Sequence, residues 1–166
     1  MESTLLIIRG NSGSGKTTTA KRLQQRLGRG TLLVSQDVVR RDMLMVQDRD
    51  GNLSMDLIRQ ITEYGRGKCE FVIVEGIFSE QRYGDMLKGL ISFYYGKAHA
   101  YYYDLSFQET VHRHNSRSKK TEFGEESLRA WWNPRDYLGV DSEVILTEEL
   151  SQEEIVELIL KQVQTP

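Results

Sequence analysis

The chain has 166 residues, 28% of them charged, and a formal net charge of −2. That length supports one domain with a real core, and the near-balance of charge excludes a chain-wide basic field of the kind that draws in nucleic acid. The single cysteine, Cys69, excludes an internal disulfide. There is no zinc-type ligand spacing, no signal peptide and no apolar run beyond strand length, which leaves a cytoplasmic protein as the expectation.

The first apolar run, Leu5–Ile8, reads as a buried strand and leads directly into GNSGSGKTT, residues 10 to 18. This stretch fits the phosphate-binding pattern G-x-x-x-x-G-K-[ST], with Gly10, Gly15, Lys16 and Thr17 in the defining places. Asn11, Ser12, Gly13 and Ser14 lie between them and Thr18 follows. Glycines let a backbone wrap an anion with its N–H groups turned inward. A helix starting near Lys16 adds its positive dipole end. Lys16 is then expected to reach the β- and γ-phosphates of a nucleotide, and the Thr17 hydroxyl to bind Mg²⁺. On the helix, Ala20, Leu23 and Leu27 share one face.

A second strand, Thr31–Val34, runs into SQDVVRRDML. In an open parallel sheet ligands sit beyond the carboxyl ends of the strands. Asp37 is therefore placed to take a proton from an acceptor hydroxyl; the alternative is a helix N-cap. Arg40, three residues on, can share the same pocket face, while Arg41 and Asp42 read as solvated surface. Leu57, Ile61 and Tyr64 form the expected apolar face of the next helix. The third strand, Phe71–Val74, ends at Glu75, a candidate for holding Mg²⁺ or orienting substrate; a structural pair with an arginine is the other reading. Gly76 permits close backbone approach. Cys69, just before this strand, reads as inert.

The fourth strand, Ala98–Tyr103, carries His99 and a run of tyrosines suited to burial. A capping box, Ser106 with Glu109, then opens a helix bearing Arg113 and Arg117 at i,i+4, followed by Lys119 and Lys120. A basic helix end feeding a polar stretch, Asn115 to Val140, reads as a lid of about residues 106–140 that brings guanidinium groups to the transferring phosphate. A solvated basic face is the plainer alternative. His112 and His114 read as surface residues of the lid helix. Trp131 and Trp132 read as its base, with the surrounding segment otherwise mobile. A last strand, Glu143–Leu146, precedes a second capping box, Ser151 with Glu154, and a helix with Ile155, Leu158 and Ile159 on one face.

Continuous apolar strands alternating with amphipathic helices predict a parallel sheet covered on both faces, a single doubly wound α/β domain over 1–166. A guanine-reading N-K-x-D is absent, which excludes the usual switch GTPase. With Gly10–Thr17, the Asp37/Arg40 pair and Arg113/Arg117 in hand, the sequence resembles a group of small P-loop kinases. That group includes polynucleotide 5′-kinase domains, chloramphenicol phosphotransferase and zeta-toxin-like proteins. DLSFQETVHRHNSR and EFGEESLRAWWNPRD are similar to segments of bacterial kinase-like proteins of that group. The resemblance implies a P-loop NTPase fold with three α/β/α layers and a five-stranded sheet in the order 2-3-1-4-5. It also implies Asp37 as base and the lid arginines on ATP. The expected function is an ATP- and Mg²⁺-dependent kinase that phosphorylates a hydroxyl of a small metabolite or drug-like molecule. A polynucleotide 5′-hydroxyl is the runner-up acceptor, and a non-catalytic ATP sensor the reading of another class. No membrane partner is expected, and the oligomeric state stays open.

Overall fold

A computed structural model describes residues 1–117 and 123–164. The chain runs β1 (Thr4–Gly10), α1 (Lys16–Leu27), β2 (Leu32–Ser35), a π-helical turn (Val38–Met43), α2 (Leu53–Gly65), β3 (Phe71–Gly76) and α3 (Glu80–Phe93). It continues β4 (Ala98–Asp104), α4 (Phe107–Asn115), α5 (Glu125–Trp131), β5 (Glu143–Thr147) and α6 (Gln152–Gln164). The strands form one parallel five-stranded sheet in the order β2-β3-β1-β4-β5. This is the architecture and strand order expected above.

Alternation along β1 divides the core in two. Leu5 and Ile7 face α2 and α3, joining Val34, Ile58, Val72, Val74 and Leu87. Leu6 and Ile8 face α1 and α6, joining Ala20, Leu23, Ile73, Tyr101 and Ile159. Each such side chain taken out of water contributes about 1.5–3 kcal/mol, and a strand buried on both faces collects it at every position.

Register sets the functional edge. Ile8 lies beside Glu75 and Arg9 beside Gly76; Gly10 lies beside Tyr103, and Ser35 beside Glu75. The ends of four strands therefore deliver Gly10, Ser35, Glu75 and Tyr103 to one rim of the sheet.

Three expectations need correcting. On α2 the buried face is Ser54, Ile58, Thr62 and Gly65; Leu57 and Ile61 only flank the core and Tyr64 is exposed. The helix comes so near the sheet that a Cβ on Gly65 would lie 2.6 Å from Val72 Cγ2 and 2.9 Å from Leu32 Cδ2, so small and polar residues win that face. His114 is buried, stacked on Phe123 with ring centroids 4.8 Å apart, and is not a surface residue of α4. Finally, the stretch from Asn115 to Val140 is anchored by far more than LRAWW. It contains α5, the buried Leu138, and Asn133 and Asp136 tied to the sheet rim as described below. Trp132 meets Phe107 of α4 edge to face, the anchoring part expected of it. Lys119 and Lys120 lie outside the described residues.

Candidate active site

The nucleotide loop closes on itself. Ser14 N–H donates to Asn11 C=O at 3.2 Å, and Thr19 N–H to Gly15 C=O at 3.0 Å. Gly15 starts α1 at φ 102°, a left-handed conformation that glycine adopts without steric penalty. At Gly13, with φ 82°, a Cβ would sit 2.8 Å from Thr110 C=O, so α4 packs against this loop as closely as a backbone allows. Among the described residues, Ser14 Oγ is the one buried side-chain polar atom without a hydrogen-bond partner. It lies in the loop where a built phosphate cradle is expected.

Lys16 is buried, and its ammonium reaches Asn11 C=O at 3.3 Å. Burial lowers its pKa from 10.5, the charges of Glu75 and Asp37 oppose that fall, and Arg117 adds to it. The two carboxylates offset part of what it costs to take the ammonium out of water. Thr17 Oγ1 donates to Glu75 Oε2 at 3.1 Å, and Ser35 Oγ to Glu75 Oε1 at 2.6 Å. Glu75 is buried and pairs with no arginine among the described residues. A hydroxyl beside a carboxylate at a strand end is a donor set that fits Mg²⁺, which takes one or two protein oxygens and fills its octahedron with water and phosphate. No cluster of three or more His, Cys, Asp or Glu suited to a metal occurs among the described residues.

Asp37 stands across from this pair, within electrostatic reach of Lys16. Its backbone is helical (φ −65°, ψ −39°) and its side chain accepts no capping hydrogen bond, so the capping reading does not describe it. Its carboxylate faces Arg40 at 3.5 Å and Arg41 at 3.6 Å. Arg40 lies beside Asp37, and its guanidinium also donates to Val46 C=O at 3.1 Å.

The helix expected to carry both arginines ends at Asn115, so Arg113 lies on α4 and Arg117 beyond its end, and the two meet the loop differently. Arg113 donates through Nη1 to Ser14 C=O at 2.7 Å and through Nε to Glu109 at 2.7 Å. Arg117 has no carboxylate partner among the described residues. Burial and the neighbouring Arg113 both lower its pKa below the usual arginine value, which leaves it charged. Ser106 caps α4 by accepting from Glu109 N–H, whereas its own N–H donates to Glu148, so only half of the expected capping box forms. The box of Ser151 and Glu154 closes in both directions. Gln152, the first residue of α6, donates to Thr19 Oγ1 at 2.9 Å and steadies α1 from behind.

Two supports escaped the sequence reading. Asn11 faces its amide away from the cradle and onto Asn133: Nδ2 donates to Asn133 C=O at 2.8 Å and Oδ1 accepts from Asn133 N–H at 2.9 Å. Arg9 is fully buried. It pairs with Asp136 and Glu143, each at 3.0 Å, and donates to Phe78 C=O. Asp136 in turn accepts from Glu80 N–H at the start of α3. A lone arginine in the apolar run LLIIRG was the available signal, because a charge inside a buried strand demands partners.

A family model described as an AAA domain matches residues 5–132. The fold is that of a gluconokinase from Sinorhizobium meliloti 1021, at TM-score 0.68 and 16% identity over 98% of this chain and 92% of that one. It is also that of the Mycobacterium tuberculosis APS kinase solved with AMPPNP and APS, at TM-score 0.70 and 14% identity over 99% of both chains. The tunicamycin resistance protein of Deinococcus radiodurans aligns at TM-score 0.68 and 17% identity, over 99% of this chain and 97% of that one. No curated protein sequence matches the chain.

Proposed function

Because this chain belongs to the AAA domain family and carries the fold of small P-loop kinases, we propose that it is an ATP-dependent kinase that moves the γ-phosphoryl group onto a hydroxyl of a small molecule. The observation that carries the reading is the meeting of Lys16, the Thr17–Glu75 pair and Asp37 at one rim of the sheet. The acceptor oxygen attacks the γ-phosphorus as its proton passes to Asp37. The bond to the β,γ-bridging oxygen breaks and ADP leaves with that electron pair. Lys16 and Arg117 face the charge that spreads over the phosphoryl oxygens, work that costs no reorganisation when the groups are already in place. Arg113 holds the loop through Ser14. Mg²⁺, bound through Thr17 and Glu75, would neutralise charge on the β- and γ-phosphates. A cytoplasmic setting, where ATP is available and a lone thiol such as Cys69 stays reduced, belongs to the same proposal.

The test is transfer of label from γ-phosphate-labelled ATP onto a panel of hydroxyl compounds, with the Lys16→Met variant as control. Label on a hydroxyl compound, lost in the variant, is the expected result. Tight nucleotide binding with no consumption of ATP on any acceptor would overturn the kinase and leave a sensor.

A further inference from the structure

We infer that the acceptor is uncharged and carries an apolar body, held by Val38, Met43, Met45 and Leu53 while its hydroxyl meets Asp37. The inference rests on the kinase reading above and adds the chemical class of its substrate. Large apolar side chains that stay in water cluster in this part of the chain: Val38 is 47% exposed, Met43 55%, Met45 87% and Leu53 67%. Single exposed apolar residues are ordinary. Four within residues 38–53, directly after the carboxylate that acts on Lys16, supply the side chains from which an apolar binding surface can be built.

The backbone between them is built to hold that shape. The segment after Asp37 is a π-helical turn, a rare conformation that recurs at functional sites. Arg40 then clamps Val46 twice, accepting from its N–H at 3.0 Å and donating to its C=O at 3.1 Å. The clamp leaves Met45 at φ 53°, a left-handed conformation unfavourable for a long side chain, with that side chain directed into solvent. Methionine's flexible thioether chain suits a surface that must fit an irregular apolar partner.

Charge argues against the polyanionic alternative. Residues 37–53 carry the carboxylates Asp37, Asp42, Asp48 and Asp50 against the guanidiniums Arg40, Arg41 and Arg49. Arg40 and Arg41 already pair with Asp37, and Arg82 of α3 pairs with Asp48 and Asp50. A polynucleotide needs several cations free to replace its counterions, and of this segment's arginines Arg40 and Arg41 already face Asp37, which leaves Arg49 alone.

The test measures label transfer from ATP onto three sets of probes: neutral alcohols with alkyl or aryl bodies, unsubstituted sugars, and an oligonucleotide with a 5′-hydroxyl. Transfer to the neutral apolar alcohols is expected. Met43→Gln with Met45→Gln should raise the acceptor KM about tenfold through lost apolar contact, with the KM for ATP unmoved. Both side chains are exposed, and glutamine is no more strained than methionine at Met45, so the fold should survive. Equal or better transfer to sugars or to the oligonucleotide overturns the inference but keeps the kinase. So does an acceptor KM that ignores both substitutions. Label on none of the three sets, with ATP bound, defeats the kinase reading and this inference with it.

Discussion

The side-chain amide of Asn11 and the backbone of Asn133 form a reciprocal pair, 2.8 Å in one direction and 2.9 Å in the other. The same Asn11 offers its carbonyl to the ammonium of Lys16. The segment that returns from α5 therefore rests on the residue that steadies the lysine of the nucleotide loop.

Asn11→Asp keeps the shape and removes one donor, so a carboxylate oxygen faces Asn133 C=O with no proton between them. An unmet pairing of buried groups costs about 1–3 kcal/mol. The variant should melt several degrees lower, and amide exchange around residues 133–136 should quicken. Unchanged melting and exchange would show that the pair holds nothing in place.

Lys16 supplies a pH dependence. Its folded pKa lies below 10.5, with burial the leading cause, so between that lowered value and 10.5 the unfolded chain holds more protons. This group alone then makes stability rise with pH across the window. A bound triphosphate favours the charged ammonium, so nucleotide binding should take up a proton at alkaline pH, and affinity should fall as pH climbs through the lowered pKa. Calorimetric titrations in two buffers of different ionisation heat measure the uptake directly. In Lys16→Met the uptake should vanish and turnover should drop by about 10²–10³-fold.

Asp37→Asn separates catalysis from structure cleanly, since the native carboxylate makes no capping bond and is itself exposed in both of its ion pairs. Exposed pairs contribute at most about 1 kcal/mol, so the melting temperature should hold within a few degrees. Loss of a positioned base should cut turnover by about 10²–10⁴-fold with ATP affinity kept. Near-normal turnover would move the proton acceptor elsewhere on the rim.

Arg113 and Arg117 should part company under substitution. Arg117→Ala removes a cation that has no carboxylate partner among the described residues and that repels Arg113. Stability should stay level or rise while turnover falls by about 10²–10³-fold. Arg113→Ala breaks the bonds to Ser14 and Glu109, so it should lower both the melting temperature and nucleotide affinity. Equal behaviour of the two variants in melting and turnover would refute the division of labour.

The legible parts of this molecule are those with a local or periodic signature. Strand runs such as Leu5–Ile8 and Phe71–Val74, the glycine-lysine loop and the Ser151 capping box each announce themselves within a few residues. The buried face of α2 was misread because Ser54, Thr62 and Gly65 serve close approach, not apolar area, and periodicity counts only the latter. The seat of residues 133–140 was missed for another reason. Asn11 with Asn133 and Arg9 with Asp136 are single polar pairs across long stretches of chain, and no spacing rule marks either partner. At the site itself, residue types named Lys16, Thr17, Glu75 and Asp37, but only the register of β1, β2 and β3 explains why they share a rim.

The burial of Arg9 has a consequence in time. Its carboxylates, Asp136 and Glu143, follow it by 127 and 134 residues, and both fall beyond the part of the chain that the family model spans. During synthesis at about 5–20 residues per second, β1 waits on the order of ten seconds for the partners that let its guanidinium leave water. A nascent chain in that interval holds its central strand, and the nucleotide loop that β1 carries, short of their final seat. The segment made early is among the last to lock, and a chain cut before Asp136 would have to bury an unpaired cation or leave the middle of its sheet open.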